Sequence, residues 1–88
     1  MSSPTLSVVM PVYNEKEYVL KIIGKVLNLD MLKELIVVDD CSKDGTRDLL
    51  KSYNTDPRVK IFYHERNMGK GAALRTGFKY VTGDVVAI

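Results

Sequence analysis

Four short apolar runs lie along the chain, and the segments between them carry apolar residues at helical spacing. Each run contains β-branched residues, as expected for strands of a buried sheet. The run at residues 6–10 ends at Pro11, and the run at residues 35–38 is uniformly apolar. Residues 59–63 alternate imperfectly, which predicts a strand nearer an edge, and residues 85–88 predict a fourth strand.

The first predicted helix covers residues 15–28. Asn14 is predicted as its N-cap, and Glu17 three residues later completes a capping box. The apolar residues of this segment recur at helical spacing and predict a stripe that faces the core. They are Val19, Ile22, Ile23 and Val26.

Two further helices are predicted. The first is short, follows the turn residues 42–46 and ends before Pro57. The second opens at the glycine-rich segment 67–71. The residues predicted to face the core are Leu49, Leu50 and Tyr53 in the short helix and Leu74, Phe78 and Val81 in the later one.

The order of the elements, β-α-β-α-β-α-β, predicts an α/β fold with a mainly parallel, Rossmann-like sheet. The 88 residues are enough for one domain at most. No turn or cap follows the last apolar run, so we expect residues 1–88 to be the N-terminal part of a larger domain, truncated after the fourth strand. An open strand edge at residues 84–88 predicts self-association into a homo-oligomer.

Composition narrows the function classes. A chain that is 45% hydrophobic and 27% charged is an ordinary globular protein and not a disordered or low-complexity one. A net charge of +2 does not predict a nucleic-acid partner. The longest apolar run is far shorter than the roughly 20 residues of a membrane span, and no signal peptide is evident, so a cytoplasmic location is expected.

Polar residues follow the first predicted strand, at the end of the sheet where open α/β folds bind their ligands. Pro11, Tyr13 and Glu15 combine a rigid residue, an aromatic ring and a carboxylate. This combination suits a nucleobase against the ring, with the carboxylate accepting from a ribose or base donor. The alternative is a proline-terminated strand followed by a helix N-terminus that favours Glu15, and it leaves Pro11 and Tyr13 unexplained.

Two more segments lie at strand ends. The side chains of Asp39 and Asp40 point to opposite sides, so one can reach a ligand while the other caps the turn at 42–46, or both can act as caps. Residues 67–71 place Lys70 and two glycines at a helix N-terminus, which favours an anion without having the spacing of a P-loop. The first βα turn has no glycine, which argues against a nicotinamide or flavin dehydrogenase.

The single cysteine and the single histidine exclude an intrachain disulfide and a multi-histidine metal site. Cys41 follows the acidic pair with no histidine partner evident in the sequence, so we expect a small buried side chain. His64 lies at a strand end, where a structural role is more common than that of a general base.

Four motifs occur in a fixed order: residues 7–15 (SVVMPVYNE), 35–42 (LIVVDDCS), 44–46 (DGT) and 67–73 (NMGKGAA). Together they resemble the start of family-2 glycosyltransferases of the GT-A fold. The resemblance is strongest to the branch of dolichyl-phosphate mannose synthase-like and polyprenyl-phosphate glycosyltransferases, and it covers nearly the whole chain. Cys41 departs from the pattern, since many members of the family have glycine there.

The resemblance implies a nucleotide-diphosphate sugar as donor, with GDP or UDP as the nucleotide. By resemblance, Pro11, Tyr13 and Glu15 match the first nucleotide-contacting loop, Val38 and Asp40 match positions that contact the base and ribose, and Lys70 matches a loop near the donor. It also implies a divalent metal, Mg²⁺ or Mn²⁺, whose Asp-x-Asp ligand motif is not in this chain. A polyprenyl or dolichyl phosphate is the implied acceptor, at the cytoplasmic face of a membrane, and the 88 residues alone are expected to be inactive.

Two other function classes stay open at this point. One is a non-catalytic α/β module that associates with itself through its open sheet edge. The other is a receiver-like signalling domain, in which an acidic pair also follows a strand. A receiver needs a third aspartate at another strand end, whereas Asp84 precedes its predicted strand.

Overall fold

The computed structural model describes residues 4–88, which form one four-stranded sheet with helices on both faces. The strands are β1 (Leu6–Val12), β2 (Leu32–Asp39), β3 (Val59–Tyr63) and β4 (Val85–Ala87). The helices are α1 (Val19–Leu27), α2 (Thr46–Leu50) and α3 (Lys70–Phe78), with a 3₁₀ turn at Lys51–Tyr53 after α2. None of these described helices is long and apolar enough to cross a membrane.

All neighbouring strands are parallel, in the order β3-β2-β1-β4. The chain moves outward from β1 to β3, and α3 then leads it back to place β4 on the free side of β1. This arrangement confirms the predicted α/β fold with a parallel sheet, and it confirms β3 as an edge strand. The direction of the strand order reverses at β1, which is where open α/β sheets form their binding crevice.

The side chains of β2 alternate between two cores, one on each face of the sheet. Leu35 and Val37 pack in the larger core with α1 and α2, while Ile36 and Val38 pack with Ala73 of α3. All five are 0% exposed, which explains why this run of the sequence is uniformly apolar. The predicted inner side of the short helix is confirmed, since Leu49, Leu50 and Tyr53 all lie in the larger core.

β1 continues through Pro11 to Val12, so the prediction that Pro11 ends this strand is wrong. The carbonyl of Val12 accepts the amide of Asp40 from the β2 side, so the preceding residue faces the other side of β1. On that side, β4 pairs with β1 only as far as Val8. A missing amide hydrogen at Pro11 therefore costs no strand pairing.

The first helix begins at Val19 and not at residue 15, and the predicted capping box does not form. Asn14 has a φ of 51°, and its side chain accepts the amide of Lys43 instead of capping α1. The backbone of residues 14–16 bonds to the loop after β2, and these bonds displace the start of the helix. Ile22 is 41% exposed, so the predicted core stripe is correct for Val19 and Ile23 but not for Ile22.

The third helix opens at Lys70, within the predicted segment, and Val81 packs against the core beneath it as predicted. The buried face of the helix itself differs from the predicted one. Phe78 is 44% exposed and Leu74 is only partly buried. The residues that face the sheet are small, namely Ala72, Ala73 and Gly77. Small residues allow the helix backbone to lie close to β1 and β2.

β4 is an edge strand, and its exposed apolar residues include Val85 and Val86. Asp84 lies directly before this strand, as predicted. Its carboxylate accepts the amide of Thr5 at 3.1 Å. Self-association through this edge stays a prediction.

Candidate functional site

The loops that follow β1 and β2 are joined by hydrogen bonds. The amide of Asn14 donates to Ser42 Oγ at 2.8 Å, and Asn14 Oδ1 accepts the amide of Lys43 at 2.8 Å. The amide of Glu15 donates to Thr46 Oγ1 at 3.0 Å. These contacts fix the first loop beside the second, so residues far apart in sequence share one rim of the sheet.

A cavity of about 390 Å³ opens at this rim. Its lining comes from the ends of β1 and β2 and from the loop before α3. The lining residues are Pro11, Val12, Tyr13, Glu15, Asp40, Asn67, Gly69 and Lys70. The structure therefore brings five of the six predicted site residues together, and the volume lies in the range of small-molecule pockets, roughly 300–1,000 Å³.

Val38 is the predicted site residue that does not reach this cavity. Its side chain is 0% exposed and packs with Ile36 and Ala73 beneath α3. A contact between the Val38 side chain and a base or ribose is thus wrong for this structure. Position along the strand explains the difference, because Val38 lies within β2 and is covered by α3, while Asp40 is the first residue beyond the strand end.

Asp39 holds the turn after β2 together. Its Oδ2 accepts the amide of Ser42 at 3.0 Å and Arg47 Nε at 2.7 Å. This bond to Asp39 raises the pKa of Arg47 above its usual value. Asp39 thus caps the turn, and because it is 0% exposed it is unavailable to a ligand. Asp40 instead lines the cavity. The alternative in which both carboxylates cap this turn is therefore wrong, and contact of Asp40 with a ligand stays a prediction.

Asp40 anchors the glycine-rich loop. Its Oδ1 accepts the amide of Met68 at 2.9 Å, and its Oδ2 accepts the amide of Gly69 at 2.8 Å. Burial raises the pKa of Asp40, but the hydrogen bond from His64 and these two amides outweigh it and lower the pKa below its usual value. Asp40 is therefore an ionised acceptor at neutral pH.

His64 contacts Asp40 directly, which the sequence did not predict. Its Nδ1 lies 2.8 Å from Asp40 Oδ1, and its Nε2 lies 2.8 Å from Thr76 Oγ1 on α3. The only available signal was that His64 and Asp40 both follow neighbouring strands. The nature of the contact depends on side-chain directions that local sequence does not encode.

Cys41 has a φ of 65°, a left-handed conformation that costs most residues other than glycine roughly 1–2 kcal/mol. The prediction of a buried side chain is only partly correct, since the Cys41 side chain is partly exposed. Its Sγ lies 3.5 Å from the carbonyl oxygen of Glu65. Glycine adopts this φ without a steric penalty, which fits the glycine of many family-2 members at this position.

Cys41→Gly is expected to raise the free energy of unfolding by up to about 1 kcal/mol, because relief of the backbone strain exceeds the added entropy of the unfolded chain. Cys41→Val is expected to lower it by about 1–2 kcal/mol, since a β-branched residue is especially unfavourable at positive φ. Urea unfolding monitored by circular dichroism measures both. Equal stability of the two variants would contradict the assignment of strain to this residue.

The described residues include no group of three or more His, Cys, Asp or Glu side chains placed to hold a metal ion. Asp39 Oδ2 and both oxygens of Asp40 accept hydrogen bonds, whereas Asp39 Oδ1 is buried without a hydrogen-bond partner among the described residues. Asp84 lies before β4, at the opposite end of the strands. The residues of this part of the chain thus do not fit a divalent metal on their own.

Comparison with known proteins agrees with the fold and the motifs. The family model of glycosyl transferase family 2 matches residues 7–88. A putative teichuronic acid biosynthesis glycosyltransferase, TuaG, from Bacillus subtilis is 38% identical over 86 residues, which cover 96% of this chain and 34% of that protein. The dolichyl-phosphate beta-glucosyltransferase ALG5A from Trichomonas vaginalis is 33% identical, with 97% of this chain and 29% of that protein covered.

Among solved structures, the mannosyltransferase PcManGT from Pyrobaculum calidifontis, in complex with GDP-Man and Mn²⁺, superposes with a TM-score of 0.84 at 28% identity. The match covers 97% of this chain and 26% of that one, and it confirms the predicted partial GT-A fold. The chain thus spans about a third or less of the length of these similar proteins. Because the family model matches nearly all of its residues, the chain belongs to glycosyl transferase family 2.

Proposed function

We propose that the cavity beside Tyr13 and Asp40 binds the nucleotide part of a nucleotide-diphosphate sugar, in a protein that transfers the sugar to an acceptor. The observation that carries this proposal is the convergence of Pro11, Tyr13, Glu15, Asp40 and Lys70 around one cavity at the carboxyl ends of β1 and β2. Ligands of open α/β sheets bind at this end.

The lining offers a distinct contact for each part of a nucleotide. Tyr13 is 44% exposed and presents a ring on which a base can stack, beside the rigid surface of Pro11. Asp40 and Glu15 supply carboxylate oxygens for the N–H groups of a base or the hydroxyls of a ribose. Lys70 begins α3, where its charge and the first-turn amides attract phosphate.

Asp40 has room for one more partner. Its two oxygens accept three protein donors, and an ionised carboxylate offers about four lone-pair sites. The remaining site is available to a donor group of a base or ribose. A nucleoside bound there contacts the same side chain that holds the glycine-rich loop.

The ligands of the divalent metal are proposed to lie in another part of the parent protein. The family resemblance implies a divalent cation that stabilises the departing diphosphate, and the Mn²⁺ of PcManGT agrees with this. Since the described residues do not fit such an ion, we propose that its ligands lie in the part of the relatives' length that this chain does not span.

The acceptor proposed for the parent protein is a polyprenyl or dolichyl phosphate. Support comes from the motif resemblance and from the name of ALG5A, a dolichyl-phosphate glucosyltransferase. A lipid acceptor would place the parent protein at the cytoplasmic face of a membrane, where nucleotide sugars are available.

The binding half of the proposal is tested by titrating the ¹⁵N-labelled chain with UDP, GDP and their sugars. We expect the amide signals of Tyr13 and Asp40 to shift at millimolar ligand or below. Tyr13→Ala is expected to weaken binding about tenfold, because base stacking on an aromatic ring contributes about 1–3 kcal/mol.

Tyr18→Ala is the matched control, since Tyr18 is 57% exposed and lies outside the lining of this cavity. Its affinity is expected to equal that of the unsubstituted chain. Absence of any shift at millimolar nucleotide, or equal losses in the two tyrosine variants, would overturn the proposed site.

A further inference from the structure

We propose that His64 is a positioning residue, which orients the Asp40 carboxylate toward the cavity and, through it, the glycine-rich loop at residues 67–70. This inference rests on the proposed function, in which Asp40 contacts the nucleoside. His64 is the first residue after β3, and its amide donates to the carbonyl of Asp39 at 2.8 Å. The imidazole is therefore fixed beside the end of β2.

The ring of His64 connects two elements. Its side chain is 10% exposed and lies between Asp40 Oδ1 and Thr76 Oγ1, each at 2.8 Å from a ring nitrogen. Because the Asp40 carboxylate only accepts, Nδ1 carries a hydrogen. In the neutral ring Nε2 then accepts the hydroxyl hydrogen of Thr76. Helix α3 thus holds the ring, and the ring holds the carboxylate.

The position of the ring is also fixed from its own backbone. Arg47, which is paired with Asp39, donates a second hydrogen bond to the carbonyl of His64. This contact ties α2 to the residue that follows β3. His64 is thus held by contacts to α2, to the end of β2 and to α3.

The carboxylate of Asp40 needs this support because its terminal torsion is intrinsically broad. The amides of Met68 and Gly69 lie on a loop whose other internal contact is the bond from the Gly69 amide to Asn67 Oδ1 at 3.2 Å. A loop held this way follows the carboxylate when the carboxylate rotates. His64 donates from a position fixed by its bonds to Asp39 and Thr76 and therefore selects one orientation of the Asp40 oxygens.

Two substitutions separate the two bonds of the ring. The side-chain nitrogen of Asn lies close to the position of histidine Nδ1, and that of Gln lies close to the position of Nε2. His64→Asn can therefore keep the bond to Asp40 and lose the bond to Thr76. His64→Gln does the reverse and forms the matched control, because it removes the same aromatic ring.

The experiment compares nucleotide affinity and the amide shifts of Met68 and Gly69 in both variants and in the unsubstituted chain. With His64→Asn we expect the affinity for UDP or GDP to stay within about twofold and both amide signals to remain near their original positions. With His64→Gln we expect about tenfold weaker binding and upfield shifts of both amide signals, at equal melting temperature of the two variants.

Affinities that are equal in the two variants, or that follow their melting temperatures alone, would overturn the positioning role. The amide signals of Met68 and Gly69 are measured without ligand and report on the carboxylate directly. If the unsubstituted chain bound no nucleotide, the proposed function would fail. Unchanged amide signals in His64→Gln would refute the positioning role in that case as well.

Discussion

Glu34→Gln is expected to lower the free energy of unfolding at pH 7 by about 3 kcal/mol. Glu34 is 2% exposed near the start of β2, and its Oε1 accepts Lys60 Nζ at 2.7 Å. Its Oε2 accepts the hydroxyl of Ser7 at 2.5 Å and the amide of Thr82 at 2.6 Å. Glutamine keeps the volume but removes the charge and replaces one accepting oxygen with an NH₂ group that donates, so the donors around that oxygen lose their acceptor.

The magnitude follows from the pKa of Glu34. Burial raises this pKa, but the hydrogen bonds from Lys60, Ser7 and Thr82 outweigh burial and lower it from 4.5 to about 2. One pKa unit corresponds to about 1.4 kcal/mol of preference for the charged form, which gives about 3 kcal/mol for this shift. A carboxylate that is almost fully buried is little screened by solvent, so most of this difference contributes to stability.

The effect of Glu34→Gln depends on pH with a defined sign. The pKa is lower in the folded protein than in the unfolded chain, so the stabilisation is complete above about pH 4.5 and is lost as the pH falls toward about 2. Since glutamine mimics the protonated acid, the stabilities of the two proteins should converge in that interval. Urea unfolding at several pH values between 7 and 3 measures the difference.

Glu17→Gln is the control, because Glu17 is an exposed acid in the loop before α1. We expect it to change the free energy of unfolding by less than about 0.5 kcal/mol. If the difference between the unsubstituted chain and Glu34→Gln were below about 1 kcal/mol at pH 7, or were constant down to pH 3, the charged network would not stabilise the fold as argued.

Glu34 also illustrates where sequence reasoning reaches its limit. The run at residues 35–38 predicts β2, because a strand covered on both faces needs apolar residues at every position. Glu34 extends that strand with a charge, and its partners lie 26, 27 and 48 residues away in the chain. No local pattern indicates that these partners exist, so the sequence alone does not predict a buried acid at this position.

The site was more predictable than the core. Tyr13, Asp40 and Lys70 converge because the carboxyl ends of parallel strands meet at one rim of the sheet, which is a property of the topology and not of contact details. The burial of Val38 was not predictable from the motif alone, because it depends on how α3 packs over this face of β2. The role of His64 depends on the same kind of side-chain detail.

The packing of α3 shows why hydrophobicity alone was insufficient there. Large apolar residues predicted the buried face, yet Phe78 is 44% exposed and the sheet is contacted by Ala73 and Gly77. A helix that lies close to a sheet needs small residues at the contact, and these contribute little to an apolar pattern. Their spacing of four residues was the available signal.

Gly77→Ala is expected to lower the free energy of unfolding by about 2 kcal/mol, although alanine is the better helix former. A methyl group at Gly77 would overlap Val9 Cγ1 and lie 3.5 Å from Val38 Cγ2. Both valines are 0% exposed and cannot move aside without disturbing the core. Overpacking costs about 1–3 kcal/mol, and overlap with a valine that cannot move lies at the upper end of this range. About 2 kcal/mol therefore remains after the gain of about 1 kcal/mol in helix propensity.

Gly24→Ala is the matched control within α1, since a methyl group there meets no atom within 4 Å. It is expected to raise the free energy of unfolding by about 0.5–1 kcal/mol through helix propensity alone. The two glycine substitutions should therefore have opposite signs in urea unfolding. A stabilising Gly77→Ala would mean that α3 lies farther from β1 than the structure places it.

A double-mutant cycle with Val9→Ala tests whether overlap with Val9 causes the loss of stability in Gly77→Ala. Removal of the two methyl groups of Val9 opens the space that the new methyl group of Gly77→Ala needs. In the Val9→Ala background, Gly77→Ala is therefore expected to be neutral or to stabilise by up to about 1 kcal/mol, which is a coupling of about 2 kcal/mol or more between the sites. Additive effects would show that the cost of Gly77→Ala arises elsewhere than at the contact between α3 and β1.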